Sequence, residues 1–251
     1  ITPLEKERIS DPEAALDGRP LRLSSVRVCS PIPHPEQDII CLGVNYAAHA
    51  DESAQFDRKA FLLDRKKATY FSKRAYQTSG PDDLIPSYPE LVTSLDYEAE
   101  LAVIIGRDCK NVCERDAAAC IFGYTVLNDV SARNLQTEHN QWYFGKSLDG
   151  FTPMGPCIVT EDEIPYPPAL SISSTVNGEL RQNSNTKYLL HSISEIIAEL
   201  SQGMTLLAGT IIATGTPAGV GMGFDPPKFL KSGDVVTCEI EKIGRLTNMV
   251  K

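Results

Sequence analysis

Short apolar runs, each closed by Gly, Pro, Asn or Asp, recur along most of the chain and restrict what it can fold into. Examples are residues 69–72, 97–105, 124–130, 157–160, 170–176, 210–214 and 235–240. Runs this short suit strands, because an amphipathic helix needs more residues to build one apolar face. Asn177-Gly178 between apolar alternation adds a two-residue hairpin signal. Helical spacing is scarcer. It predicts helices over 114–122, 132–141 and 193–200, and a helix-like stretch over Ala47–Ala54 after Asn45-Tyr46. The expected fold class is therefore α+β and β-rich. Residues 1–38 are polar apart from a strand-like run at 21–28 and end in the Pro-rich PIPHP, so they read as a small N-terminal appendage and linker. Residues 39–251 read as the main domain, with 55–67 a charged segment lacking a clear period, suited to a mobile lid or a partly ordered helix.

The 251 residues carry 24 Lys+Arg against 33 Asp+Glu, a formal charge of −9. Nucleic-acid surfaces need clustered basic residues and anionic membranes attract them, so neither partner is expected. No apolar stretch is long enough to span a bilayer. Seven scattered cysteines without zinc spacing read as reduced, buried small hydrophobes. The expected location is cytoplasmic. Because the sequence starts without Met, a targeting segment upstream, and hence a mitochondrial location, stays open.

Asp96-Tyr97-Glu98-Ala99-Glu100 opens an apolar run, and residues two apart on a strand share a face. Two carboxylates side by side repel unless a cation or base stands between them. The next apolar run ends in Asn128-Asp129 and delivers a third carboxylate. A set without His or Cys is a hard-ligand set suited to Mg²⁺, Mn²⁺ or Ca²⁺. The plain alternative is an exposed alternating strand with solvated Glu side chains. His49 and Glu52 stand one helical turn apart, so the carboxylate can orient the imidazole as a general base; the plain alternative is a surface pair. Lys146, after Trp142, Tyr143 and Phe144, either stabilises an oxyanion or occupies a turn. GVGMG at 219–223 lacks the spacing and following helix of a nucleotide loop, and no GxSxG is present.

Taken in order, CLGVNYAAHADE (41–52), FSK (71–73), SLDYEAELAVIIG (94–106), GYTVLNDVSARNLQ (123–136), WYFGKSLDGFTPMGP (142–156), VNGEL (176–180) and ATGTPAGVG (213–221) resemble the fumarylacetoacetate hydrolase family. The resemblance implies a mixed β-sandwich roll, commonly homodimeric. It implies Mg²⁺ or Mn²⁺, with Ca²⁺ an occasional substitute, held by Glu98, Glu100 and Asp129. It further implies Lys146 as active-site lysine, His49 and Glu52 as a lid dyad, and Arg133, Gln136, Thr216 and Tyr46 as substrate contacts. Asn134 departs from the family's usual Asp. The activity implied is metal-assisted C–C hydrolysis of a small 2,4-dioxo acid through an enolate. The alternatives are oxaloacetate decarboxylation or keto–enol tautomerisation, or isomerisation of a dienoate 2-oxo acid. A non-catalytic scaffold is the rival of another class, and loss of a ligand or of Lys146 would have favoured it.

Overall fold

The computed structural model describes residues 26–56, 66–139 and 141–251. The strand expected over 21–28 lies mostly outside them, and its described end, 26–28, is not a strand. Most of the charged 55–67 segment also lies outside.

In chain order the elements begin with β1 (Ile39–Leu42), α1 (Ala47–Phe56), β2 (Tyr70–Lys73), β3 (Leu84–Ile85), β4 (Leu95–Asp96), β5 (Ala99–Ile105) and β6 (Ile121–Asn128). They continue with β7 (Ser131–Ala132), α2 (Arg133–Glu138), α3 (Tyr143–Lys146), β8 (Met154–Thr160), β9 (Ser171–Val176) and β10 (Glu179–Asn185). Helix α4 (Ile193–Gly203), β11 (Ile211–Ala213), β12 (Val235–Ile240) and β13 (Gly244–Val250) complete the chain. A six-stranded sheet runs β2-β1-β11-β5-β6-β8, and a five-stranded one β10-β9-β12-β13-β3; β4 and β7 form a short pair. Among the described strands β1 with β11, and β13 with β3, pair in parallel and the rest antiparallel, so both large sheets are mixed.

Strand β5 is buried along its whole length, and its period of two divides its side chains between two cores. Leu101, Val103 and Ile105 join the main cluster with Val176, Val236, Cys238 and Leu246 of the second sheet. Ala102 and Ile104 face the other way, with Cys41, Leu127 and Ile211. Fully burying one such Val, Leu or Ile is worth about 1.5–3 kcal/mol, so this sandwich dominates the fold. Residues 26–38 lie against the second cluster without regular structure: Ile32 packs on it and the Thr78 N–H donates to Pro33 O at 3.0 Å.

Three expectations shift. Residues 114–122 do not make an α-helix; Glu114–Cys120 is a 3-10 helix and Ile121 already starts β6. The helix expected over 132–141 is shorter, α2 ending at Glu138, and α3 is a separate turn beyond it; Gly145 lets the two meet closely, since a Cβ there would lie 2.5 Å from the Gln136 N. The pair expected on one strand straddles its start, since Glu98 precedes β5 and Glu100 is its second residue. Helix α4 forms as spaced, extended to Gly203, and Ser192 with Glu195 closes a capping box.

Candidate active site

Antiparallel register builds the site. Ala99 pairs with Asn128 and Glu100 with Leu127, so the start of β5 lies beside the end of β6. The Asp129 N–H donates to Glu98 O at 2.9 Å, and the Glu98 N–H to Asn128 Oδ1 at 3.0 Å. Glu98, Glu100 and Asp129 thereby bring one carboxylate oxygen each within 4.8 Å of one another. All three are buried, and Glu100 and Asp129 are wholly inaccessible. The solvated alternating strand is thus excluded.

Buried cations surround the cluster. Lys146 Nζ stands 2.7 Å from Glu98 Oε2 and 2.6 Å from Asp129 Oδ2. Arg133 reaches Glu98 Oε1 through Nη1 at 2.7 Å and Asp96 Oδ2 through Nε at 2.9 Å. Its Nη1 also donates to Gln136 Oε1 at 2.9 Å. Lys73, fully buried at the end of β2, pairs with Asp129 Oδ1 at 2.7 Å and donates to the carbonyls of Val130 and Lys146. Burial alone would raise the Glu98 carboxyl, but Lys146, Arg133 and His49 hold it at about 2. Burial would lower the Lys146 ammonium, yet Asp129 and Glu98 raise it, so it stays charged. Glu100 goes the other way. Burial, then Asp129 and Glu98, push its carboxyl well above the usual range, and the Gly215 N–H at 2.8 Å offsets this only in part.

Glu100 Oε1 accepts no hydrogen bond. A buried carboxylate oxygen left unpaired among other carboxylates costs stability unless a cation meets it. The all-oxygen donor set, its close convergence and that orphaned oxygen fit a hard divalent cation held by Glu98, Glu100 and Asp129.

The remaining expected residues gather around this cluster. His49 is buried on α1, its Nδ1 3.1 Å from Glu52 Oε2, so the pair is no surface pair. Ser53 Oγ lies 3.3 Å from His49 Nε2. Tyr46 is buried with a hydroxyl that has no hydrogen-bond partner, and burial and then Glu100 push its pKa well above the usual range, so it stays protonated. Thr216 is turned inward: its hydroxyl donates to Ala99 O at 2.9 Å and accepts from Gln182 Nε2 at 2.7 Å. Asn134 donates to Leu91 O at 3.1 Å, a bond the usual Asp could not make. Sequence reasoning missed Lys73, Asp96 and Gln182 as site-building groups. Lys73 closes the FSK segment and Asp96 opens DYEAE, but nothing local tells a buried ion pair from a solvated charge.

A sandwich whose strand ends bring together buried carboxylates, a charged lysine and a His–Glu pair is a framework suited to an enzyme acting on small molecules. Residues 38–251 match the family described as "Fumarylacetoacetate (FAA) hydrolase C-terminal", and the chain belongs to that family. It is 46% identical over 228 residues to "Oxaloacetate tautomerase YisK" of Bacillus subtilis, covering 91% of this chain and 74% of the relative. It is 43% identical over 242 residues to "Oxaloacetate tautomerase fahd2, mitochondrial" of Xenopus laevis, covering 95% and 73%. Among solved structures it superposes on the fumarylacetoacetate hydrolase EaFAH of Exiguobacterium antarcticum with a TM-score of 0.81 at 44% identity, covering 94% and 82% of the two chains. A 2-hydroxyhepta-2,4-diene-1,7-dioate isomerase of Mycobacterium marinum gives 0.75 at 35%, covering 94% and 81%. No helix among the described residues is long and apolar enough to cross a membrane.

Proposed function

We propose that the protein interconverts the keto and enol forms of oxaloacetate. The observation that carries this reading is the site's composition: acid–base groups flank a three-carboxylate cluster, with Lys146 paired to two of its members. Such a set moves protons beside a bound anion. The names of the two relatives above favour tautomerisation over the C–C hydrolysis implied first, and the isomerase neighbour points the same way. The EaFAH title keeps hydrolysis of a 2,4-dioxo acid as the second reading.

A divalent cation, Mg²⁺ or Mn²⁺, on Glu98, Glu100 and Asp129 would polarise the substrate's 2-oxo group and offset the charge of the enolate. With Nδ1–H donated to Glu52, His49 keeps Nε2 as its basic nitrogen. In this reading Nε2 takes the proton from C3, and the pair of electrons left there moves to the carbonyl oxygen. Lys146, held charged, steadies that oxygen. The enol forms when the proton returns to the oxygen, and ketonisation runs the same steps backwards. Arg133, Gln136, Tyr46 and Thr216 bind or frame the acid. The same reading takes residues 1–38 as an appendage, a homodimer as the assembly, and the cytoplasm or the mitochondrion as the compartment.

The test follows the oxaloacetate enol band in the ultraviolet with Mg²⁺ present, alongside carbon dioxide and pyruvate. Faster interconversion without either product is the expected result. Carbon dioxide release would mean decarboxylation. Acetate plus pyruvate from acetylpyruvate, with oxaloacetate untouched, would replace the proposal by hydrolysis. Sedimentation velocity checks the dimer.

A further inference from the structure

Two carboxylates from different elements hold one loop. Glu52, on α1, accepts the Gly219 N–H at 2.9 Å through Oε1, while its Oε2 faces His49. Asp96, closing β4, accepts the N–H groups of Gly221 at 2.6 Å and Met222 at 3.0 Å. The same Asp96 accepts from Arg133 Nε at 2.9 Å, and Arg133 pairs with Glu98. Tyr97 adds a hydroxyl bond to Gly219 O at 2.9 Å. An unbroken path therefore runs from Glu98 through Arg133 and Asp96 into residues 219–223, and out through Glu52 to His49.

The glycines are its contact points. A Cβ on Gly223 would lie 1.8 Å from Glu52 Oε1, and one on Gly221 2.6 Å from Asp96 Oδ1. Neither can bear a side chain without moving a carboxylate. This gives the GVGMG segment, which lacks the spacing of a nucleotide loop, a role of another kind.

We propose that the 219–223 loop sets the His49–Glu52 dyad relative to the carboxylate cluster, with Asp96 and Gly223 as its positioning residues. Both act through other groups: Asp96 through Arg133 and the loop amides, Gly223 by leaving room for Glu52. The inference rests on the reading of His49 as the proton-moving group.

The test uses the full chain with Gly223→Ala, Asp96→Asn, Glu52→Gln and the Asp96→Asn/Glu52→Gln double variant. The readouts are kcat and KM for oxaloacetate enolisation, Mn²⁺ affinity by electron paramagnetic resonance, and imidazole ¹⁵N shifts. Gly223→Ala should lower kcat about 100-fold, as small misplacements of catalytic groups do, while KM and Mn²⁺ affinity hold. Asp96→Asn should weaken Mn²⁺ binding about tenfold and also shift the His49 nitrogens. Its kcat loss should overlap with that of Glu52→Gln, whereas independent sites add. Additive losses, or His49 shifts unchanged by Asp96→Asn, would overturn the proposal. If Gly223→Ala does not fold, the isosteric Asp96→Asn and the cycle decide alone. If the parent chain leaves oxaloacetate unchanged, the proposed function fails; the Mn²⁺ affinities and ¹⁵N shifts still test the coupling.

Discussion

Glu98 and Glu100 stand two residues apart, yet their surroundings drive them in opposite directions. Glu98 is balanced by Lys146 and Arg133, whereas Glu100 faces Asp129 and Glu98 with one oxygen unpaired. A carboxyl raised by burial favours the folded state below its unfolded pKa, and that contribution is lost as pH rises through the raised value. A cation must take the place of that proton. Mg²⁺ or Mn²⁺ affinity should therefore weaken as pH falls, with protons released on binding; calorimetry in two buffers of different ionisation enthalpy checks this. His49→Ala should lower enolisation about 100-fold or more while leaving Mn²⁺ binding intact, measured by enol absorbance and paramagnetic resonance. The three carboxylates and Lys146 were legible because spacing and motif carried them. Lys73 and Asp96 were not, since their partners lie far off in sequence: Lys73 meets Asp129, and Asp96 meets Arg133. Thr216, expected at the substrate, has a hydroxyl that ties the TGTP loop to β5 and Gln182.

Elements with a strong period were readable. Helix α4 appears as its Ile193, Ile196, Ile197 and Leu200 spacing requires, all buried. Its Ser192 cap is remote in sequence from every candidate site residue. Ser192→Ala should therefore cost about 1 kcal/mol by thermal unfolding and leave kcat unchanged. Strand β13 was not foreseen, and β10 was signalled only by the Asn177-Gly178 hairpin, because GRLTNMV and ELRQNSN are rich in polar residues. Only pairing with β9 and β12 makes strands of them. Tertiary pairing also overrode the helical reading of 114–122, where Gly106 N–H captures Cys120 O at 2.7 Å as the chain turns into β6.

At the scale of the whole molecule, buried carboxylates crowded at the ends of β5 and β6 make stability depend on cations. Added Mg²⁺ or Mn²⁺ should raise the melting temperature in step with concentration, by about 2.7 kcal/mol of stability at a hundredfold excess over Kd. Asp129→Ala should remove that rise together with activity; a rise that survives would place the cation elsewhere. The register of Ala99 against Asn128 carries one consequence for how the chain acquires its shape. β5 and β6 follow one another in sequence and pair in the sheet, so joining them costs less chain entropy than joining β5 to β11. That register brings Glu98 and Asp129 side by side, and their like charges oppose the pairing until a cation meets them. A divalent cation in the refolding buffer should shield that pair and quicken folding, which refolding rates measured with and without Mg²⁺ check.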